Sequence, residues 1–391
     1  MRPALILVIL AILVTGAFTS CGDEALSVPL NLVPETPALT TPVTTPSPMV
    51  ENQEPPTPSY PSPTLETVIP TPAPPQITPS IEPEPGPPPV FRVVGYITHW
   101  RFSRLAGMKL EGLTHLIWQG VEVTDAGNPT LRVSGNGDWG QIPALVETGH
   151  SSGVKVLVSL IGFWNDSDLS KIWESAEQRK RLIENLKDLV ETYNLDGIDI
   201  DNESGCDREV YSTFVKELHD ALSPPGKIIT LAGSPYNVCI NRDVFQYVDF
   251  INLMTYDMVR GKGYPYHSTL EESAQALNLW VDEEMPKDKI LMGIPFHGRD
   301  DYDGYFEYWW IVDRYNPGPD QNQASEPNAA GNVIWWNGAE LVKEKVVYAR
   351  DNGFGGVMMY ELGTDSVGSL SLLESVYDAL TTAGDDAGKN Q

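Results

Sequence analysis

Long apolar runs are almost missing from this chain of 391 residues. Beyond Ala4–Val14, no stretch is apolar for long enough to cross a membrane as a helix, which takes about 20 residues. Positive charge is scarce too: 26 Lys and Arg stand against 53 Asp and Glu, a net charge of −27. Such a surface repels a phosphate backbone, so nucleic acid is not an expected partner. Cysteine is limited to three residues and histidine to six, and no histidine falls in a metal-ligand spacing. No glycine-rich phosphate loop follows the first β-rich run, which argues against an open, doubly wound sheet.

What is present divides the chain into unlike parts. Met1-Arg2 followed by Ala4–Val14 reads as the charged start and apolar centre of an export signal. It ends in Phe18-Thr19-Ser20-Cys21-Gly22, which resembles the cleavage box of bacterial lipoproteins, with Phe18 where such boxes usually begin with Leu. Residues 1–21 are therefore assigned to a signal with a lipidation site at Cys21. A lipid there would hold the exported protein to a membrane, facing outward; simple secretion is the alternative. Residues 22–90 are rich in Pro, Thr and Ser, with 21 of the 33 prolines between 28 and 90. Such a segment buries too little to offset the entropy of ordering, so it is read as a disordered linker. Stretched as polyproline II it reaches up to roughly 190 Å. Residues 91–383 suit one α/β barrel of ~250 residues with insertions, acting as a monomer, and 384–391 are left as a disordered tail.

Eight apolar, β-rich runs recur in the globular part: Phe91–Trp100, Leu113–Val123, Lys155–Phe163, Leu195–Glu203, Lys227–Ser234, Val248–Met258, Lys289–His297 and Gly355–Leu362. Helical periodicity fills most of the gaps. In Leu169–Asn194 a stripe of Ile172, Ala176, Ile183, Leu186, Val190 and Tyr193 predicts one helix. Tyr211–Leu222, Leu270–Glu284, Ala339–Asn352 and Leu370–Leu380 read similarly. Alternating strands and helices predict parallel βαβ units, and eight of them predict closure into a (β/α)8 TIM barrel. Chemistry in such barrels sits at the C-terminal strand ends. Glu203, Tyr256, Asp257 and Tyr360 each fall near one of those ends.

The densest signal is Leu195-Asp196-Gly197-Ile198-Asp199-Ile200-Asp201-Asn202-Glu203. Ile198 and Ile200 alternate with Asp199, Asp201 and Glu203, so the three acids share one strand face, each roughly 6.6 Å from the next. Neighbouring carboxylates raise one another's pKa, which suits a site that keeps one carboxyl protonated near neutral pH. Asp196 has the opposite parity and is given a structural role. Three acids could instead hold a divalent cation as hard oxygen ligands. Without suitable histidines or a second acidic cluster, neither metal nor cofactor is expected.

The pattern Asp196-x-x-Asp199-x-Asp201-x-Glu203 resembles the signature of family 18 glycoside hydrolases, chitinases and endo-β-N-acetylglucosaminidases. Val94-Gly95-Tyr96, Met254-Thr255-Tyr256-Asp257, Gly293–Arg299 and Gly355-Gly356-Val357-Met358 resemble its first, sixth, seventh and eighth strands, in order. The resemblance implies hydrolysis of β-1,4-linked N-acetylglucosamine glycosides in which the substrate's acetamido group is the nucleophile, with retention. Glu203 would be the general acid and base. Asp201 would orient the acetamido N–H, Asp199 would share a proton with Asp201, and Tyr256 would bind the acetamido oxygen. Tyr96, Met254, Asp257, Arg299 and Tyr360 would bind an N-acetylglucosamine oligo- or polysaccharide. A lectin-like barrel that binds sugar without cutting it is the rival reading.

Several positions depart from that family pattern. Asn202 and Tyr360 stand where Trp is usual. The third-strand motif appears as Ser159-Leu160-Ile161-Gly162-Phe163-Trp164, and two registers fit, so support of the acids by Ser159 stays open. Residues 299–338 leave little room for the α+β insertion common after the seventh strand. Their aromatics, Tyr302, Tyr305, Phe306, Tyr308, Trp309, Trp310, Trp335 and Trp336, fit either a sugar-stacking wall or a packed layer. Cys206 and Cys239 follow successive strands on one rim, so they are either a disulfide or two free thiols.

Overall fold

The computed structural model describes residues 90–387, except 125–127, 163–166, 204, 259–266, 301, 303 and 326–331. The N-terminal apolar run, Cys21, the Pro-rich linker to residue 89, and Phe163 and Trp164 lie outside the described residues. No helix among the described residues is long and apolar enough to cross a membrane.

The strands, in chain order, are β1 Arg92–Thr98, β2 His115–Val123, β3 Leu131–Val133, β4 Lys155–Gly162, β5 Gly197–Asn202, β6 Ile228–Gly233 and β7 Phe250–Leu253. They continue with β8 Ile290–Pro295, β9 His297–Asp300, β10 Tyr305–Glu307, β11 Gln323–Ser325, β12 Val333–Trp335 and β13 Gly356–Tyr360. Eight of them pair in parallel in the order β1-β13-β8-β7-β6-β5-β4-β2, and β2 pairs with β1 to close the barrel. Each of the eight lies inside one of the runs read from sequence. β3 adds an antiparallel hairpin to the end of β2.

Helices α1 Gln141–Ser151, α2 Ser167–Glu174, α3 Ala176–Tyr193, α4 Arg208–Leu222, α5 Leu270–Asp282, α6 Tyr308–Tyr315, α7 Ala339–Asp351 and α8 Leu372–Ala387 complete the set. The predicted helix over 169–194 is two helices. Ser175 between them is extended, and its side chain accepts from the Gln178 amide, capping α3. Ala176, a member of the expected stripe, is exposed at the first turn of α3; Trp173, Arg179 and Leu182 are buried instead. The last helix continues to Ala387, past the expected start of the tail at 384.

Period-2 alternation gives the barrel two apolar layers. Val94, Tyr96, Ile117, Leu157, Phe250, Leu291 and Met358 point inward and pack together. Their neighbours along each strand, such as Val93, Leu116, Val156, Ile198, Ile251 and Val357, point outward and pack with the helices. Asp196, on the outward parity, accepts from the Val156 amide at 2.7 Å and pairs with His150 at 2.8 Å, tying α1 and β4 to the start of β5.

Residues 299–338 do hold a small α+β layer, where little room was expected. β10, β9, β12 and β11 form an antiparallel four-stranded sheet with α6 inserted. It fits because its strands are three or four residues long and α6 only eight. Tyr308, Trp335 and Trp336 are buried in it, so these aromatics pack the layer. Tyr302 is exposed, and Tyr305 alone of the eight reaches the central cavity.

Candidate active site

The C-terminal strand ends surround a cavity of about 780 Å³. Asp201 and Glu203 line it with Tyr96, Gln119, Met254, Tyr256, Asp257, Arg299, Tyr305 and Tyr360. The sequence-predicted substrate residues are thus brought to one opening. Asp199 lies one strand repeat deeper and is fully buried.

Pairing fixes what surrounds Asp199. Ser159 on β4 and Thr230 on β6 are its register partners, and this settles the third-strand register in favour of an inward Ser159. Oδ2 of Asp199 accepts from the Tyr96 hydroxyl at 2.8 Å and from Ser159 Oγ at 2.9 Å. Oδ1 accepts from Thr230 Oγ1 at 2.5 Å and Asn252 Nδ2 at 3.2 Å. Burial pushes the Asp199 pKa up, and these four donors oppose it. With both oxygens taken, Asp199 makes no hydrogen bond to Asp201. The four donors come from four other strands, β1, β4, β6 and β7.

Asp201 is set differently. Its Oδ2 accepts from Gln119 Nε2 at 3.0 Å, while the buried Oδ1 has no hydrogen-bond partner among the described residues. Burial, then Glu203, then Asp199 raise its pKa well above the ordinary value. Glu203 stands one residue past β5, half-buried, with its backbone N–H bonded to Gly162 O at 2.7 Å. The row therefore grades from a buried, saturated carboxylate to one at the cavity wall.

Tyr256 packs against Tyr360 with ring centroids 5.8 Å apart and planes 23° from parallel. Gly293 on β8 makes room for it: a Cβ there would stand 2.3 Å from Leu253 O and 3.0 Å from the Tyr256 ring. Burial raises the pKa of Tyr96, Tyr256 and Tyr360 well above 10, so all three remain hydroxyl donors. Glu361, next to Tyr360, is buried and accepts from Thr98 N at 2.7 Å, Thr98 Oγ1 at 2.9 Å and Arg101 Nη1 at 2.6 Å. That bracing fixes the end of β13 against β1.

Asp257 accepts from Arg299 through Nε at 2.9 Å and Nη2 at 2.5 Å, and pairs with His297 Nε2 at 2.8 Å. His267 Nδ1 lies 3.3 Å from the same carboxylate. Although burial works the other way, His297, His267 and Arg299 together hold the Asp257 pKa well below the usual range. Asp257, His267 and His297 approach closely enough to hold a cation. Arg299 already bonds both oxygens of Asp257, and burial lowers the His267 pKa to about 4, so the cluster is one ion pair with imidazoles beside it.

Sequence reasoning missed Gln119, Thr230 and Asn252. A polar residue at inward parity within an apolar run, as in Phe250-Ile251-Asn252-Leu253, was the available signal for all three. Cys206 and Cys239, left open between two states, form a disulfide on the cavity rim with Cα atoms 5.1 Å apart. Asn202 lines the rim and bonds Gly205 O at 3.4 Å.

The sequence profile described as Glycosyl hydrolases family 18 matches residues 92–365. A probable chitinase 10 of Drosophila melanogaster is 26% identical over 359 residues, covering 73% of this chain and 16% of that protein. The chain spans about half of several other curated relatives it matches. The crystal structure of the family 18 chitinase ChiB from the chitin utilization locus of Flavobacterium johnsoniae superposes with a TM-score of 0.65 at 27% identity, covering 75% of this chain and 95% of that one. A chitinase structure from Bacteroides thetaiotaomicron gives 0.65 at 25% identity, covering 75% and 98%. The motif row, the closed barrel and a profile match over most of the globular part agree: the chain belongs to glycosyl hydrolases family 18.

Proposed function

We propose that this chain hydrolyses β-1,4-linked N-acetylglucosamine glycosides by a substrate-assisted, retaining mechanism with Glu203 as general acid and base. The observation that carries this reading is the graded row of Asp199, Asp201 and Glu203 ending at a cavity lined by Tyr256. In the first step the Glu203 carboxyl gives its proton to the glycosidic oxygen as the C1–O bond breaks. The acetamido carbonyl oxygen of the same sugar closes on C1, forming an oxazolinium ion. Asp201, with Oδ1 open, accepts the acetamido N–H and offsets the positive charge. Tyr256 donates to the acetamido oxygen. Glu203, now a carboxylate, takes a proton from water as the water attacks C1 and the ring opens. Two inversions at C1 retain configuration. Glu203 at the cavity wall favours this over sugar binding without chemistry.

Two measurements on chitotetraose test it. Proton NMR of the first products should show the β-anomer, and an oligosaccharide carrying free amines in place of acetamides should not be cut. First release of the α-anomer, or equal cleavage of the deacetylated substrate, would defeat the mechanism.

We further propose that the protein is exported as a monomer and held to a membrane by lipid on Cys21, with the Pro-rich segment as spacer. The export signal and the Cys21 box in the sequence support this. Cys21→Ala should move the protein from the membrane fraction to the medium or other soluble fraction. Unchanged partitioning would reject the anchor.

A further inference from the structure

Among the described residues the carboxylate of Asp201 has a single hydrogen-bond partner, and that partner is itself held from across the barrel. Gln119 on β2 donates Nε2 to Asp201 Oδ2 at 3.0 Å. Its Oε1 accepts from the Tyr360 hydroxyl on β13 at 2.7 Å. Gln119 is 6% exposed, so water does not replace either bond freely. A glutamine amide can turn over and exchange its donor and acceptor ends. Here the Tyr360 hydroxyl donates to Oε1, which leaves Nε2 facing Asp201.

We propose that Tyr360 and Gln119 form a hydrogen-bond relay that sets the protonation state of Asp201, making both positioning residues for the acetamido group. This rests on the mechanism proposed above. While Asp201 is ionised, the relay runs from Tyr360 O–H to Gln119 Oε1, and from Gln119 Nε2–H to the carboxylate. When Asp201 holds a proton on Oδ2, that proton faces Gln119 Oε1, and Nε2–H turns to the Tyr360 oxygen. Tyrosine serves both directions because a hydroxyl donates and accepts; an indole N–H only donates. The tyrosine at this position therefore adds to its ring, stacked on Tyr256, a second task through its hydroxyl.

Other ionisable groups face Asp201 from each surrounding element. Asp199 and Glu203 come from its own strand and its end, Tyr96 from β1, Tyr256 from the end of β7, Tyr360 from β13 and Tyr211 from α4. The acids oppose ionisation of Asp201, and the four tyrosines stay neutral. Among the described residues Gln119 is thus the only group bonded to Asp201 that favours its charged form.

Gln119 bonds both forms of Asp201, but its bond to the charged carboxylate is the stronger, so removing it raises the Asp201 pKa and activity fails at a higher pH as the medium is acidified. Gln119→Leu should move the acid limb of kcat/KM up by about one pH unit, and Tyr360→Phe by about half a unit. Tyr360→Phe keeps the ring, so KM should stay within twofold while kcat at acid pH falls several-fold. On the Gln119→Leu background, Tyr360→Phe should add nothing, because its hydroxyl acts only through the amide. Gln119→Met replaces the Leu variant if that one does not fold.

A Tyr360→Phe profile that superposes on the parent overturns the relay. So does a Tyr360→Phe shift that persists in full without Gln119, or a loss of activity with lowered Tm and no shift. The infrared carbonyl band of a protonated buried carboxyl should disappear at correspondingly higher pH in both variants, a readout independent of turnover. An unmodified protein that fails to cut chitotetraose defeats the mechanism, while this band still reports on the relay.

Discussion

Glu203→Gln is expected to lower kcat on N-acetylated chito-oligosaccharides by roughly a thousandfold, about 4 kcal/mol of barrier, with KM within a few-fold. Glutamine matches the shape of glutamate but has no proton to give to the leaving oxygen. It also has no lone-pair charge with which to take one from water, so both steps fail at the same atom. The neighbouring acid does not rescue the loss. Asp201 lies about 6.6 Å deeper along the strand, one inward repeat below, and its Oδ2 is bound to Gln119. The substitution acts on Asp201 as well. Glu203 is the largest charge opposing its ionisation, so the Asp201 pKa should fall in the variant and its hold on the acetamido N–H should strengthen. Sugar binding should therefore survive, measurable by calorimetry with chitotetraose while turnover is nearly absent. A variant that retains parental kcat would remove Glu203 from the chemistry.

The architecture was legible because eight parallel strands leave eight apolar, β-rich runs, and no single run had to be placed accurately. The acidic row was legible for a related reason: Asp199, Asp201 and Glu203 follow one another along one strand and its end, where parity alone decides their shared face. The surroundings of Asp199 come from β1, β4, β6 and β7, and no local pattern says which inward side chains meet. Ser159 shows the difficulty. Its strand fitted two registers, and only pairing with Asp199 decided between them. Gln119 and Tyr360 are 241 residues apart, with β1 lying between their strands, so their bond leaves no trace in either neighbourhood. The break at Ser175 was hidden because the apolar stripe runs on through both helices, with Ile172 and Ile183 both buried. The pattern Ser175-x-x-Gln178 was the signal that could have marked it. The aromatics after β8 split between the two readings offered for them, because exposure depends on the edge-to-edge pairing of strands only three or four residues long.

Loss of the Cys206–Cys239 bond is expected to destabilise the barrel by roughly 3–4 kcal/mol and to lower kcat several-fold. The stability term comes from the 33-residue separation, whose closure entropy is returned to the unfolded chain when the bond is cut. The catalytic term comes from position. Glu203 is fixed behind by its N–H bond to Gly162 O, and α4 is fixed ahead by Asp207, which accepts from the Glu209 and Val210 amides at 3.2 and 3.3 Å. Between these two anchors the chain crosses the cavity rim, and Cys206 ties it to the loop after β6. Without the tie, Gly205 and Cys206 gain freedom between those anchors, and the Glu203 carboxyl, on the mechanism proposed above, spends less time in place to meet the glycosidic oxygen. Cys206→Ser with Cys239→Ser should lower the denaturant midpoint without changing the m-value, and should reduce kcat more than it raises KM. Dithiothreitol should reproduce both effects on the parent protein and neither on the double variant. An unchanged midpoint would show that the rim is held by packing alone. An unchanged kcat with a lowered midpoint would confine the bond to stability and leave the placement of Glu203 to β5 and the α4 cap.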